Sequence, residues 1–246
     1  MIRLSSLPLL LALAACTTDN YSVVLLRNVV PNAMCVSSAD ENAVGLLHGT
    51  LDVTNPLPDG FLNPGYELRP VALNGTVATP DQTMVGNPNS HIFFVQGAEV
   101  ELVAGVSSQS QEIIDHLASR GLTERINRFS TSIPPNGVAG LAFLAIDEEQ
   151  TAAIGEVLGN RLIQIVARVQ VFGEIDDSNI RTPLFEYPIT LCTGCVVREY
   201  GECALVPASA DREVSECNPT QDDGGYACCT QNGEILCPPP PPPEQP

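Results

Sequence analysis

The chain contains no lysine: its 11 basic residues are all arginine, set against 29 acidic ones for a formal net charge of -18. Phosphate backbones bind basic footprints, so this balance excludes a nucleic-acid partner. Without lysine a phosphate-cradling GxxxxGK loop cannot occur either. Tryptophan is absent and aromatic residues make up only 5%, which counts against a sugar-stacking module. Histidine is scarce: His48, His91 and His116 are scattered, with no HExxH among them. A Gly-x-Ser-x-Gly elbow is missing, as is any apolar run near the ~20 residues of a membrane-spanning helix. Yet 44% of residues are apolar and 16% charged, too apolar a mixture for an acidic disordered chain. No catalytic residue, no metal and no other cofactor is expected from these patterns.

What is present begins at the N-terminus. Met1-Ile2-Arg3 is a short positive start, and Leu4 to Leu13 follows as an apolar stretch of about 10 residues, as in a secretory signal peptide. The ending Leu13-Ala14-Ala15-Cys16 resembles the bacterial lipobox. That resemblance implies that residues 1–15 are removed and that Cys16 carries diacylglycerol and acyl chains, with 16–20 as anchor and short tether. Several acyl chains hold a protein to a bilayer where one is marginal. Thr17 and Thr18 stand where an inner-membrane sorting Asp would follow the Cys, which favours the outer membrane, on its periplasmic or cell-surface face. The expected partners are the membrane, through the lipid, and an envelope protein or ligand.

Nine cysteines are present, and setting Cys16 aside leaves Cys35, Cys192, Cys195, Cys203, Cys217, Cys228, Cys229 and Cys237. An even number in an exported chain reads as a disulfide framework. Seven of the eight fall in residues 192–237, so Cys35 must reach the tail to pair. Adjacent Cys228 and Cys229 are expected to take separate partners, because a bridge between neighbours closes a strained ring. Cys192-Thr193-Gly194-Cys195 is a CxxC with two other readings. Zinc wants a second pair of similar spacing, and a redox motif wants a helix starting at the first Cys. Here Pro188 and a β-like run lead into it, so structural bridges are the expectation. The strand Phe185 to Cys192 ending in this CxxC, with the later Cys228-Cys229, is similar to uncharacterised Cys-rich lipoproteins of myxobacteria and related deltaproteobacteria. That resemblance implies no activity.

Between residues 21 and 191 the dominant signal is period-2 alternation. Ala98, Val100 and Leu102 alternate with Glu99 and Glu101. Ile163, Ile165, Ala167, Val169 and Val171 alternate with Gln164, Arg168 and Gln170. Phe185, Tyr187, Ile189 and Leu191 alternate with Glu186 and Thr190. Leu47, Gly49, Leu51 and Val53 face one way, and His48, Thr50 and Asp52 the other. Tyr21–Val30 and Val138–Ile146 are apolar on both faces, as central strands are. Asn74-Gly75 reads as a type I′ hairpin turn. Two helices are expected: one capped by Ser108 with Gln111 and ended by Gly121, with Ile113, Ile114 and Leu117 as its face. The other is capped by Asp147 with Gln150 and ended by Gly159, with Ile154, Val157 and Leu158 inward.

The fold class that follows is all-β, an immunoglobulin-like antiparallel β-sandwich over 21–191. A disulfide-rich, acidic segment follows over 192–237, then a proline-rich disordered end over 238–246. Asp176-Asp177 and Asp222-Asp223 read as turns that could also offer calcium oxygens. The function expected is a non-catalytic binding or scaffolding module of the cell envelope. The alternatives are a hydrolase whose site assembles only in three dimensions, or an inhibitor or recognition knob built on the stapled tail.

Overall fold

A computed structural model describes residues 22–32, 34–54, 65–77, 91–196, 198–206, 217, 221–222 and 227–236. The signal and anchor segment with Cys16, the end with Cys237, and Asp223 lie outside the described residues.

The alternating runs assemble into one six-stranded sheet. Its path is β3 (Gly49–Asp52), β12 (Phe185–Cys192), β10 (Ile163–Ile175), β6 (Phe93–Ala104) and β7 (Glu124–Ile133), with β11 (Ser178–Arg181) pairing off β10. Every pairing is antiparallel except β3 with β12, which is parallel. Because side chains alternate across a strand, Val100, Leu102, Ile165, Ala167, Val169, Ile189 and Leu191 share one buried face. Glu99, Glu101, Arg168 and Glu186 share the other. There the directly opposed pairs Arg168–Glu101 and Arg168–Glu186 form ion pairs of 3.9 and 2.9 Å.

A second layer covers the buried face. It comprises a four-stranded sheet ordered β2 (Gly45–Leu46), β1 (Val23–Val29), β5 (Pro70–Asn74), β8 (Val138–Gly140), the pair β4 (Tyr66–Leu68) with β9 (Phe143–Ile146), and two helices. Val23, Tyr66, Leu68, Phe143, Ile113, Leu117, Ile154 and Leu158 join the large sheet in one core. The chain is thus all-β and sandwich-like, with helices sharing the second layer.

Helix α1 (Ser108–Ser119) is capped one residue earlier than expected. Ser107 accepts from Ser110 N, and its extended backbone ends the preceding segment. Gly121, at φ +72, closes it: Leu122 N reaches Leu117 O and Gly121 N reaches Ala118 O, both 3.0 Å. Helix α2 (Glu148–Leu158) starts on the Asp147–Gln150 capping box and stops at Gly159.

Two local expectations are corrected. Asn74-Gly75 does not reverse the chain. Asn74 is buried, its amide donates to His91 O and Ile133 O at 2.8 and 2.9 Å, and its carbonyl oxygen accepts from Thr76 N. Tertiary partners claim the side chain that a hairpin turn would leave in solvent. The run Val138–Ile146 is two strands in different pairings, β8 and β9. Leu141 N bonds Pro70 O between them, and Gly140 lies so close to Ser37 and Ser38 that a Cβ would sit 2.7 Å from their carbonyl oxygens.

Beyond Cys192 a small sheet forms, ordered β13 (Arg198–Glu202), β14 (Ala227–Gln231), β15 (Glu234–Leu236), with a 3-10 turn at Cys203–Leu205. The last two strands are a hairpin whose turn residues, Asn232 and Gly233, both have positive φ.

Candidate functional site

The parallel register of β3 and β12 sets Cys192 opposite Asp52, at the point where both strands end. The chain then turns tightly through Thr193 and Gly194 to Cys195, which is bonded to Cys192. Asp52 lies beneath this loop, 1% exposed. Its Oδ1 accepts from Gly194 N and Thr54 N at 2.9 and 3.0 Å, and its Oδ2 accepts from Val196 N at 3.1 Å. The carboxylate collects amide donors that no strand partner reaches, so its burial is compensated. The alternation puts Asp52 on the polar face with His48 and Thr50, and the loop's amides bury it there. Val53 N donates to Cys192 O at 2.9 Å, and Thr193 Oγ1 donates to Gly159 O at the end of α2 at 2.7 Å. Gly194 takes the left-handed φ of +67 that this turn requires.

The two sulfurs differ in access. Cys192 is 2% exposed, whereas Cys195 faces solvent. An oxygen of Asp52 lies within 4.8 Å of both sulfurs, the one such trio of metal-ligating side chains among the described residues. With both sulfurs in a bridge there is no thiolate pair to hold a metal, since thiolates are the ligands zinc requires.

A second cluster joins the tail to the body. The Tyr66 hydroxyl donates toward Asp222 Oδ1 at 2.9 Å and lies 3.3 Å from the Tyr187 hydroxyl. Thr50 N donates to Asp222 Oδ1 at 3.1 Å, and Asp222 N donates to Thr50 O at 2.7 Å. Gln221 brackets Glu67, accepting from its N at 2.8 Å and donating to its O at 3.1 Å. Gly49 leaves room for this, since a Cβ there would sit 2.2 Å from the Tyr66 hydroxyl oxygen. Burial, reinforced by the Asp222 charge, pushes the Tyr66 phenol far above its ordinary value. Tyr187 is raised as well, chiefly by burial. Asp222 therefore works as a clamp on the body.

The other sequence candidates remain apart. Asp176 and Asp177 form a two-residue turn with positive φ between β10 and β11, and the Asp176 carboxylate pairs with His91. His116 faces Glu156 at 3.5 Å, and His48 is exposed.

Cys35 bonds Cys217 and Cys203 bonds Cys229, so the first half of the chain is tied to the tail. Cys228 is disulfide-bonded too. The three bridges between described residues have separations of 182, 26 and 3 for Cys35–Cys217, Cys203–Cys229 and Cys192–Cys195. If a bridge acts by restricting the unfolded chain, they stabilise by about 5, 4 and 2 kcal/mol in that order.

Both clusters were missed in the sequence for one reason: each depends on partners far along the chain. Asp52 and Gly194 are one example, Tyr66 and Asp222 the other. The parallel pairing of β3 with β12 has no local signature. Comparison with protein-family models, with curated proteins and with solved structures finds no match to this chain.

Proposed function

We propose that the chain is an exported bacterial lipoprotein, held in the outer membrane through acylated Cys16. Its immunoglobulin-like body is a non-catalytic binding or scaffolding module of the cell envelope. The observation that carries this reading is the oxidation state of the cysteines: all seven described ones are disulfide-bonded. Such bridges persist in oxidising compartments and are rare in the cytosol. A cross-linked body behind a lipobox is the arrangement expected of an envelope lipoprotein.

The face offered to a partner is the outer side of the large sheet. On it, Arg181–Glu99, Arg168–Glu186 and the 2.8 Å hydrogen bond from Gln96 to Glu174 hold the side chains in place. A preordered face loses less side-chain entropy on binding.

The test is expression of the full chain in a Gram-negative host. Mass spectrometry of the detergent-extracted protein should show an acylated N-terminal cysteine and loss of residues 1–15. Cys16→Ser should move the protein to the soluble fraction. An unmodified Cys16 in membrane-bound protein would overturn the anchor.

A further inference from the structure

We propose that the Cys192–Cys195 bridge is a thiol–disulfide exchange site that accepts two electrons from a dithiol. The bridges differ in what they hold. Cys35–Cys217 and Cys203–Cys229 close loops with sequence separations of 182 and 26. Cys192–Cys195 closes a loop that is already closed by hydrogen bonds. Asp52 holds Gly194 N and Val196 N, Val53 N holds Cys192 O, and Thr193 Oγ1 holds Gly159 O. Opening this bridge therefore removes little from the fold, and the loop keeps both sulfurs close enough to re-form it.

Access points the same way. Thr193, Gly194 and Cys195 are exposed, and apart from Gly194 and its two chain neighbours no heavy atom lies within 4 Å of where a Gly194 Cβ would stand. An incoming thiolate can reach Cys195 Sγ, whereas Cys192 Sγ is shielded by β3. When the bridge opens, the buried thiol of Cys192 finds an acceptor in Leu51 O, 3.5 Å from its sulfur. A buried polar group with a waiting partner is less costly to create.

A thiolate of the dithiol attacks Cys195 Sγ, and the Cys195–Cys192 bond breaks with its electron pair passing to Cys192 Sγ. That sulfur takes up a proton, replacing the one the attacking thiol had lost to solvent. The second thiol of the dithiol, after losing its proton, attacks its own partner's sulfur in the mixed disulfide. Cys195 Sγ leaves and is protonated. The chain gains two electrons and two protons, and the dithiol departs as a disulfide. Because the second step needs a resolving thiol, a dithiol outpaces a monothiol.

The experiment titrates the full chain with dithiothreitol, blocks free thiols by alkylation and maps them by mass spectrometry. Cys192 and Cys195 should be alkylated at reductant concentrations at least tenfold below those that open Cys35–Cys217 and Cys203–Cys229. The far-UV circular dichroism should be unchanged, and the bridge should re-form when the dithiol is removed under air. Glutathione at equal thiol concentration should open it more slowly. Opening together with or after the other bridges, or loss of β signal on opening, would overturn the proposal. A second arm locates the attack: Cys192→Ser should take up one glutathione from glutathione disulfide at Cys195, and Cys195→Ser should take up far less at Cys192. The reverse preference would overturn attack at Cys195.

Discussion

The body and the tail of this chain solve the same problem by different means. In the body, Ile165, Ala167, Val169 and their neighbours are fully buried in one core beneath a sheet and two helices, so apolar burial holds the fold. The tail's three short strands are held by Cys203–Cys229, by Cys35–Cys217 and by polar hooks such as Gln221 and Asp222. A segment this small cannot supply a sufficient core, and covalent links compensate. The lesson is that the two regions should fail independently and under different chemical stresses.

The largest effect belongs to the body. Phe93 is fully buried in β6, and Phe93→Ala should cost about 3–5 kcal/mol through lost burial and the cavity left behind. Urea melting followed by circular dichroism should show a lower midpoint for the β signal of the whole molecule. A change confined to the tail would erase the distinction between the two regions.

The complementary perturbation is the paired Cys203→Ala, Cys229→Ala variant. By chain entropy it should cost about 3–4 kcal/mol, but locally. Amide exchange should speed up across β13–β15 and stay slow in β6 and β10. Protection lost equally in both regions would mean that the tail is part of the body's cooperative unit.

Much of the body was legible in the sequence, because its signals are local. The alternation of Ala98 to Leu102 and of Ile163 to Val171 needs only the two-residue period of a strand. The cap of α2 needs only Asp147 and Gln150. β7 was not legible, because its pattern is inverted: Ile126 points outward, while half-buried Arg125 and Asn127 point inward to Asp147 and Leu144 O. Of the CxxC site the sulfurs were visible and Asp52 was not, since its partners in that loop, Gly194 N and Val196 N, lie 142 and 144 residues away. Pairings of that kind follow from topology, which no local period encodes.

A smaller effect tests the joint between the regions. The Tyr66 hydroxyl is buried between Asp222 and Tyr187, and Tyr66→Phe should cost about 1–2 kcal/mol. The same cluster sets a pH dependence. Both phenols have folded-state values above their unfolded ones. Their contribution is therefore fully present below the unfolded value, about pH 10, and is lost as pH rises beyond it. The unfolding free energy from denaturant melts should fall above pH 10, by up to about 1.4 kcal/mol per pH unit for each buried phenol. Tyr66→Phe should flatten that fall, and an unchanged slope would remove Tyr66 from the joint.

The smallest effect lies on the outer face of the large sheet, where neither burial nor a bridge contributes. Glu99 on β6 and Arg181 on β11 form a two-pronged pair, with Arg181 also lying over the Phe172 ring at 5.8 Å. The hydrogen bonds from Arg181 hold the Glu99 carboxyl below its ordinary value, against an opposing push from burial. A lowered folded value gives stability that is present above the unfolded carboxylate value, about pH 4.3, and lost as pH falls through the folded one. Arg181→Ala should return the Glu99 titration, followed by carboxyl NMR, toward that ordinary value. It should change stability at neutral pH by only about 0.5 kcal/mol, as exposed pairs do, and less in high salt. A loss several times larger would mean that this face is held together by its charges, and the contrast between a body that burial stabilises and a tail that links stabilise would need a third term.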